Sequence, residues 1–418
     1  MIYLPINMRT LSSFFLCLLY LFLFPIFCHG ERRFMAGEGG ETTFFGSKIT
    51  IPSRDRSETR AFNFLISGTD PTLFSPDPLP VGALYFNYWG KKYHYRTVLT
   101  GVANEFYFGR RWKGFWEWVA KEENLNVPLA VGEYLNGKEV ESSELYLGYI
   151  KLGTGIGINL PISPGQIENR FTLALLYQLS YHYYQKSSKT ADTYKPHPDT
   201  FDHALLIRMR YDGFARNLLE LRHKGIAFGA DIQTAIREST SFHGFQGQEK
   251  KLPSYFKYQA YFLGAHPLTF LSSHLVGLFS IYGGYSPNAL ERNTAFVIGG
   301  SSSADETETI TNPILWGAHL SEFNAKWYGL ATLELRWEAL FFLFFHFRLT
   351  IGRLKFRSLK QDSFLFYKTK NTGAVSFGIT SGFFFESVLV FDYAYNWEIQ
   401  RRGHRGSHFF ILRWSKSF

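Results

Sequence analysis

The chain has 418 residues and a formal net charge of +9; aromatic residues make up 18% of it and charged residues only 19%, below the roughly 25% of a typical soluble domain. Both cysteines, Cys17 and Cys28, lie near the amino terminus, which excludes a disulfide framework or a cysteine metal site in the rest of the chain. Beyond residue 30 no apolar run approaches the roughly 18 residues of a membrane-spanning helix. This composition favours an all-β protein, either soluble or in an outer membrane.

The first thirty residues have the pattern of a secretory signal peptide. Arg9 precedes an apolar run from Leu11 to Phe27, and the small residues Cys28 and Gly30 predict cleavage after Gly30. An uncleaved membrane anchor is the alternative. Residues 31–60 are polar and rich in glycine, and they are too few for a domain with its own core. We expect them to form a periplasmic leader or a small plug.

From residue 61 onward, apolar and polar residues alternate with a period of two, which predicts strands. The pattern is clear in "FTLALLYQLSYHYY", "FDHALLIRMRY", where only His203 interrupts the apolar side, "LATLELRWEAL" and "VLVFDYAYNWE". A tilted strand of about ten residues is long enough to cross a bilayer, whereas strands in soluble proteins average about five or six residues. A soluble β-sandwich is the alternative. Residues 61–418 are predicted to form a closed antiparallel transmembrane β-barrel of about 16 strands, with 14 or 18 also compatible.

The strand candidates include the segments 93–109, 112–120, 215–223 and 293–300. Three polar segments rich in Gly, Pro, Ser and Thr are predicted to be outer loops: "KSSKTADTYKPHPD", "STSFHGFQGQEKKLP" and "GGSSSADETETITNP". Basic runs such as "RRWK", "GRLKFRSLK" and "QRRGHR" lie at predicted strand ends. Such cationic rims suit an anionic lipid surface or the steering of anionic solutes, with plain solvation of loops as the alternative.

The alternation also predicts which side chains face the interior of the barrel. In "LATLELRWEAL" the residues Leu333, Leu335 and Trp337 have one parity, and Glu334, Arg336 and Glu338 have the other. We expect the first set to face lipid and the three charged residues to face the lumen, where opposite charges on neighbouring strands can pair.

The chain ends in the half-apolar strand "GSHFFILRWSKSF". Phe410, Leu412, Trp414 and Phe418 share one parity, interrupted by Lys416. In hydrocarbon every backbone polar group must be paired, so a membrane sheet has to close on itself. The terminal strand is therefore predicted to seal the barrel against the first strand and to act as the assembly signal.

The sequence resembles the BamA/TamA-type bacterial surface-antigen superfamily of outer-membrane barrels. The similar segments are "LVGLFSIYGGYSPNALERNTAFVIGG", the returning strand "LATLELRWEAL" and the closing region from "TGAVSFGITSG" to the last residue. The resemblance implies an outer-membrane barrel with a role in protein assembly or translocation, and a loop that starts at Gly299 and Gly300 and folds into the lumen. Two features depart from the superfamily: Ser301 follows this pair where an Arg-Gly-aromatic tripeptide is usual, and POTRA domains are lacking.

No motif indicates catalysis, so we predict a protein that is not an enzyme, with no catalytic, cofactor-binding or metal-binding residues. A barrel-embedded lipid hydrolase would need a set such as Ser180 with His182 or Ser272 with His274, for which ordinary strand residues are the simpler interpretation. A porin-like channel, passive or selective, is the other alternative to assembly. The expected partners are outer-membrane lipids and lipopolysaccharide, the barrel assembly machinery and a separate periplasmic protein, but no nucleic acid. The expected location is the cell outer membrane of a Gram-negative-type bacterium.

Overall fold

A computed structural model describes residues 34–418 except 45, 71–78, 136–137, 163–168, 246–251, 290–293, 301–310, 320–321, 360–364, 383–386 and 402. The predicted signal peptide at 1–30 and Ser301 lie outside the described residues. Within them every regular element is a β-strand. Among these residues there is also no helix with the length and apolar character needed to span a membrane.

The strands are numbered here in chain order: β1 Gly40–Phe44, β2 Ser47–Ile51, β3 Glu58–Asp70, β4 Leu79–Trp89, β5 Tyr93–Leu99, β6 Ala103–Lys113, β7 Trp116–Leu135, β8 Lys138–Pro161, β9 Arg170–Lys186, β10 Tyr194–Lys195, β11 Thr200–Asp212, β12 Ala215–Arg216, β13 Arg222–Arg237, β14 Gly244–Phe245, β15 Ser254–Pro267, β16 Leu275–Tyr285, β17 Phe296–Ile298, β18 Phe323–Leu340, β19 Leu343–Leu359, β20 Leu365–Ser381, β21 Val388–Arg401 and β22 His404–Ser417.

Sixteen of these strands form a closed antiparallel barrel, which confirms the predicted fold class and strand number. They are β3–β9, β11, β13, β15, β16 and β18–β22, and each pairs with the next along the chain. The last strand, β22, closes the barrel against β3. Because the number of wall strands is even, the start of β3 and the end of β22 lie at the same end of the barrel, called here the termini end. The opposite end is the far end.

Side chains alternate between the outside and the lumen along each wall strand, as the period of a β-strand requires. In β9, Leu173, Leu175 and Tyr177 point outward with 39%, 48% and 47% of their surface exposed, whereas Leu176 and Gln178 are buried. The outward positions form an apolar surface around the barrel, and the inward positions carry most of the buried charge.

The boundaries of several strand candidates were wrong, because the alternation continues through tight turns. The segment 93–109 is two strands, β5 and β6, which turn at Gly101 with φ 78°, and the segment 112–120 spans the turn at Gly114 with φ 59°. Glycine adopts positive φ at no steric cost, so the chain reverses there without a polar loop. Two further segments are misassigned: 215–223 is mostly a turn after the two-residue β12, and among the described residues 294–300 only the three-residue β17 is a strand.

Residues 34–57, called the leader here, form a small structure across the termini end. Its hairpin of β1 and β2 buries Ile49 against Leu218, Phe341 and Phe342, which lie in two turns of the barrel. The ring centroid of Phe34 lies 5.2 Å from that of Phe341. These contacts place the leader over the mouth of the lumen.

Candidate functional site in the barrel lumen

The long connection between β16 and β18 sends a segment, residues 311–319, into the lumen; it is called the inward loop. Trp316 is buried there, with its ring centroid 5.9 Å from that of Phe409 and 5.1 Å from the guanidinium carbon of Arg348. Nδ2 of Asn396 donates a hydrogen bond of 2.8 Å to the carbonyl oxygen of Trp316. Because these partners come from β19, β21 and β22, the loop is fixed against the wall near the closing seam.

A second set of contacts holds the loop at Gly317. Its carbonyl oxygen accepts hydrogen bonds from Nη2 of Arg401 at 2.8 Å and from Oγ of Ser407 at 2.7 Å. Arg401 also forms a bidentate ion pair with Glu322, at 2.7 and 2.6 Å, and both side chains are buried. A bidentate charge pair of this kind is among the stronger polar contacts in proteins. The base of the inward loop is therefore tied to the end of β21.

The predicted loop start at Gly299 and Gly300 lies against this segment. The carbonyl oxygen of Gly299 accepts a hydrogen bond of 2.8 Å from the amide of Leu315, and the amide of Gly300 donates one of 3.2 Å to His319. A Cβ atom on Gly300 would lie 2.2 Å from the carbonyl oxygen of Ala318. Only glycine allows this close approach of the two backbone segments.

Glu334 is the centre of a buried charge cluster on the lumen face of β18 to β21. Its Oε1 accepts hydrogen bonds from Nε and Nη2 of Arg336 at 3.0 and 2.9 Å, and lies 2.8 Å from Nδ1 of His346. Its Oε2 accepts from Nε of Arg348 at 3.1 Å, and Arg348 also pairs with Asp392. Nε2 of His346 lies 2.8 Å from Oγ1 of Thr380 on β20, so the cluster, called here the Glu334 cluster, joins four neighbouring strands of the wall.

Two of the three predicted lumen charges, Glu334 and Arg336, are thus buried in the barrel, while Leu333 on the other parity is 63% exposed. Glu338 lies near the termini end of the same strand, where the pairing of β18 with β19 shifts register between 338 and 340, and it is only half-buried. It is therefore less deeply buried than Glu334 and Arg336.

A cavity of about 460 Å³ occupies the lumen between the leader and the inward loop. Leader residues Arg54 and Arg56 line it at the termini end, and Thr311 and Asn312 of the inward loop line it from the other side. Most of its wall consists of charged and aromatic side chains: Arg96, Arg208, Arg210, Arg216, Lys121, Glu105, Glu122, Glu123, Asp212, Asp231, Tyr85, Trp89, Tyr95, Tyr107, Tyr211 and Tyr261. Such a wall suits a polar or charged solute that also offers a flat face.

The leader is held over this cavity by Glu220, in the turn before β13. Its carboxylate accepts hydrogen bonds from Nη2 of Arg54 at 2.9 Å and from Nε and Nη2 of Arg56 at 2.8 and 2.7 Å. Burial alone would raise the pKa of Glu220, but the hydrogen bonds and positive charges of the two arginines outweigh it and hold the pKa below its ordinary value. Glu220 therefore stays ionised, and these three residues are called the leader latch.

The carboxyl-terminal strand lies where the closing pairing requires. β22 pairs with β3 from Ser417 opposite Ala61 to His408 opposite Asp70. Its outward side carries Phe410, Leu412 and Trp414, and the ring centroid of Trp414 lies 6.0 Å from that of Phe62. The amide of Phe418 donates a hydrogen bond of 2.9 Å to the carbonyl oxygen of Arg60, so the pairing continues to the last residue.

The Ser–His pairs considered for lipid hydrolysis are not arranged on the outside of the barrel. Ser180 and His182 both point into the lumen and are buried, and Nε2 of His182 lies 3.4 Å from Oδ2 of Asp202. Ser272 receives a hydrogen bond of 3.2 Å from the backbone amide of His274 in a turn at the termini end. Ser180 therefore faces away from the bilayer, and Ser272 lies in a turn and not on the outer face of a wall strand.

Sequence reasoning missed the partners of His203, the residue that interrupts the apolar side of β11. Its ring nitrogens lie 2.6 Å from the hydroxyl of Tyr177 and 2.6 Å from a carboxylate oxygen of Glu238. Both partners lie on the outer surface beside it, so the polar interruption is a satisfied cluster near the far end.

No family model and no curated protein matches this chain. Among solved structures it is similar to the BamA of Haemophilus ducreyi lacking POTRA domains 1–3, with a TM-score of 0.52 and 12% identity over 91% of this chain and 75% of that one. CdiB of Escherichia coli matches with a TM-score of 0.48 and 11% identity, over 91% of this chain and 67% of that one. CdiB of Acinetobacter baumannii scores 0.45 at 10% identity, with 65% of its own length covered. At such identities the similarity concerns architecture alone, and this chain shares the barrel fold seen in BamA.

Proposed function

We propose that this chain is an integral outer-membrane β-barrel that conducts a polar solute through a gated lumen. The membrane location is supported by the outward apolar surface. Phe347, Leu349 and Ile351 of β19 expose 50%, 40% and 56% of their surface, and Leu175 of β9 and Leu333 of β18 expose 48% and 63%. A soluble protein rarely exposes a continuous apolar surface of this extent, whereas a transmembrane barrel requires an apolar band.

The observation that carries the transport function is the polar cavity between the leader and the inward loop. Both segments are held by polar contacts, the leader latch at one side and Arg401 with Glu322 at the other. Contacts of this kind can open without unfolding the wall, because the wall is held by its own strand pairing. The leader and the inward loop are thus the two gates of the proposed pathway.

Conductance of the purified full chain in planar bilayers tests this proposal. We expect low conductance for the native protein and a clear increase for Glu220→Gln, which removes the negative charge that holds Arg54 and Arg56. Glu58→Gln is the matched control, because Glu58 lies at the same end but in an exposed pair with Arg60. Conductance indistinguishable from bare lipid in the native protein and in Glu220→Gln would overturn the channel proposal.

A second candidate is outer-membrane protein assembly or translocation, with lipopolysaccharide, the assembly machinery and a periplasmic protein as partners. It is favoured by the fold shared with the BamA barrel and by the loop folded into the lumen. An assembly factor that opens sideways would have to break the pairing of β22 with β3, which is continuous from Ala61 to Asp70. Each backbone group left unpaired in hydrocarbon costs several kcal/mol, so the continuous seam favours transport through the lumen.

The two candidates differ in whether the seam has to open. Asn63 and Ser415 are opposite each other in the pairing of β3 with β22, and the chain has no cysteine after Cys28, so Asn63→Cys with Ser415→Cys gives a defined cross-link. If solutes pass through the lumen, conductance should be the same with the disulfide formed and after its reduction. Loss of other outer-membrane barrels in cells that carry only the locked protein, reversed by reduction, would instead support assembly.

A further inference from the structure

A smaller chamber of about 140 Å³ lies beside the main cavity toward the far end. Six neighbouring wall strands, β7, β8, β9, β11, β13 and β15, contribute to its lining, together with Phe296 of the short strand β17. Five residues line both spaces, so the two adjoin: Lys121, Glu123, Arg208, Asp231 and Gln259. The other lining residues of the chamber are Lys151, Gln178, Leu206, Gln233, Lys257 and Phe296.

Positive charge exceeds negative charge in the wall of this chamber. Four cationic side chains, Lys121, Lys151, Arg208 and Lys257, face two carboxylates, Glu123 and Asp231. This gives a formal excess of two positive charges, from four minus two, among the described lining residues. The three glutamines in the wall add amide N–H groups that can donate further hydrogen bonds.

Both carboxylates are already shared between cations. Glu123 pairs with Lys121 and lies 3.5 Å from Nζ of Lys151. Asp231 accepts hydrogen bonds of 3.1 and 3.2 Å from Arg208 and one of 2.7 Å from Arg210. One carboxylate can neutralise only one of its two cations. The set of Glu123, Lys121 and Lys151 and the set of Asp231, Arg208 and Arg210 therefore each keep a net positive charge.

We infer that this chamber binds a small oxyanion, as free phosphate, sulfate or a carboxylate, or as the anionic group of a larger solute. Its volume holds a few water molecules or one such group. Cations and amide donors fixed in a space shielded from bulk water attract an anion more strongly than the same groups on an open surface. The inference of an anion-binding site depends only on the geometry and charge of the chamber. The conclusion that the conducted solute is anionic rests in addition on the proposed channel function.

Calorimetric titration of the detergent-purified full chain with inorganic phosphate, sulfate and acetate tests the site. Lys121→Gln and Lys257→Gln should each weaken binding at least about tenfold, since each removes a charged hydrogen-bond donor. Glu123→Gln should strengthen binding, because it frees two lysines for the anion. Lys224→Gln is the matched control: Lys224 lies in the same wall strand as Gln233 but is exposed near the termini end, and its loss should leave the affinity unchanged.

The opposite signs expected for the lysine and glutamate variants separate an anion site from a purely structural set of ion pairs. If Glu123→Gln weakens binding as much as the lysine variants do, or if none of the three anions binds at millimolar concentration, the chamber is structural and the inference is wrong. Binding that neither lysine variant alters would place the anion elsewhere and would overturn it too. Heat-modifiable migration in detergent gels checks that each variant is folded.

Ion selectivity in planar bilayers distinguishes failure of the site from failure of the channel. The reversal potential in a potassium chloride gradient measures the preference for chloride over potassium. A preference for chloride that is smaller in Lys257→Gln would support both the anion site and the channel. Anion binding without any conductance would refute the channel and leave the site intact. Conductance without anion binding or anion preference would refute the site and leave the channel.

Discussion

Removal of the central carboxylate of the Glu334 cluster should destabilise the barrel strongly. Glu334→Gln keeps the size of the side chain but removes the charge that Arg336 and Arg348 share. The acceptor in four contacts of 2.8 to 3.1 Å to charged or titratable partners then loses its negative charge. Arg348 retains Asp392, and Arg336 retains contacts to neutral or titratable groups, namely the carbonyl oxygen of Arg222 at 2.8 Å and Nδ1 of His346 at 3.2 Å.

The expected cost follows from the charge left behind. Removing one partner of a buried ion pair costs about 3–5 kcal/mol, because the other charge stays buried without compensation. A second substitution, Arg336→Met, should recover part of that loss in the double variant, since it removes the guanidinium whose charge Glu334 no longer offsets. The matched control is Glu338→Gln on the same strand; Glu338 is only half-buried, so its substitution should change stability less than that of Glu334.

Urea unfolding in lipid vesicles, followed by tryptophan fluorescence and by heat-modifiable migration, measures these differences. The native protein, the single variants Glu334→Gln and Arg336→Met, and the double variant form a cycle. The coupling free energy of Glu334 with Arg336 can be calculated from it. Equal stability of Glu334→Gln and Glu338→Gln would refute the assignment of a cohesive role to the cluster. A double variant that is less stable than the sum of its single variants would refute the mechanism of an uncompensated charge.

Three further predictions concern the outer face, the closing strand and the leader. Leu333→Arg should cost about 2–4 kcal/mol near the middle of the bilayer, whereas Thr332→Arg on the lumen parity should cost less; equal losses in vesicles would reverse the assignment of the two faces. Deletion of Phe418 should slow barrel assembly in cells, because Phe418 directly follows the closing strand and its amide pairs with Arg60; a normal rate of heat-modifiable folding would contradict a role of Phe418 in closing the barrel. The pKa of Glu220 is lowered in the folded protein from its ordinary value of 4.5. The stabilisation by the leader latch should therefore be complete above pH 4.5. It should be lost as the pH falls further and passes through the lowered pKa. Protease cleavage of the leader should therefore increase at acidic pH in the native protein, and Glu220→Gln should show the high rate at every pH.

The sequence by itself determined the architecture of the wall. Period-two alternation separates Leu333 from Glu334 and identifies the outward face of the closing strand, because in a β-strand the direction of each side chain follows from its position alone. The requirement that a membrane sheet has no open edge then predicts closure of the last strand on the first. Tight turns were less visible, because Gly101 and Gly114 reverse the chain within an apparently continuous pattern.

Only the tertiary structure decided what the lumen contains. Its main contacts join residues that are far apart in sequence: 44 positions for Arg348 and Asp392, 79 for Arg401 and Glu322, and 166 for Arg54 and Glu220. Local sequence patterns carry no information on such pairs, since the register of strands and the path of long loops bring them together. For the same reason the excess of positive charge around Glu123 and Asp231 becomes visible only when six strands form one wall.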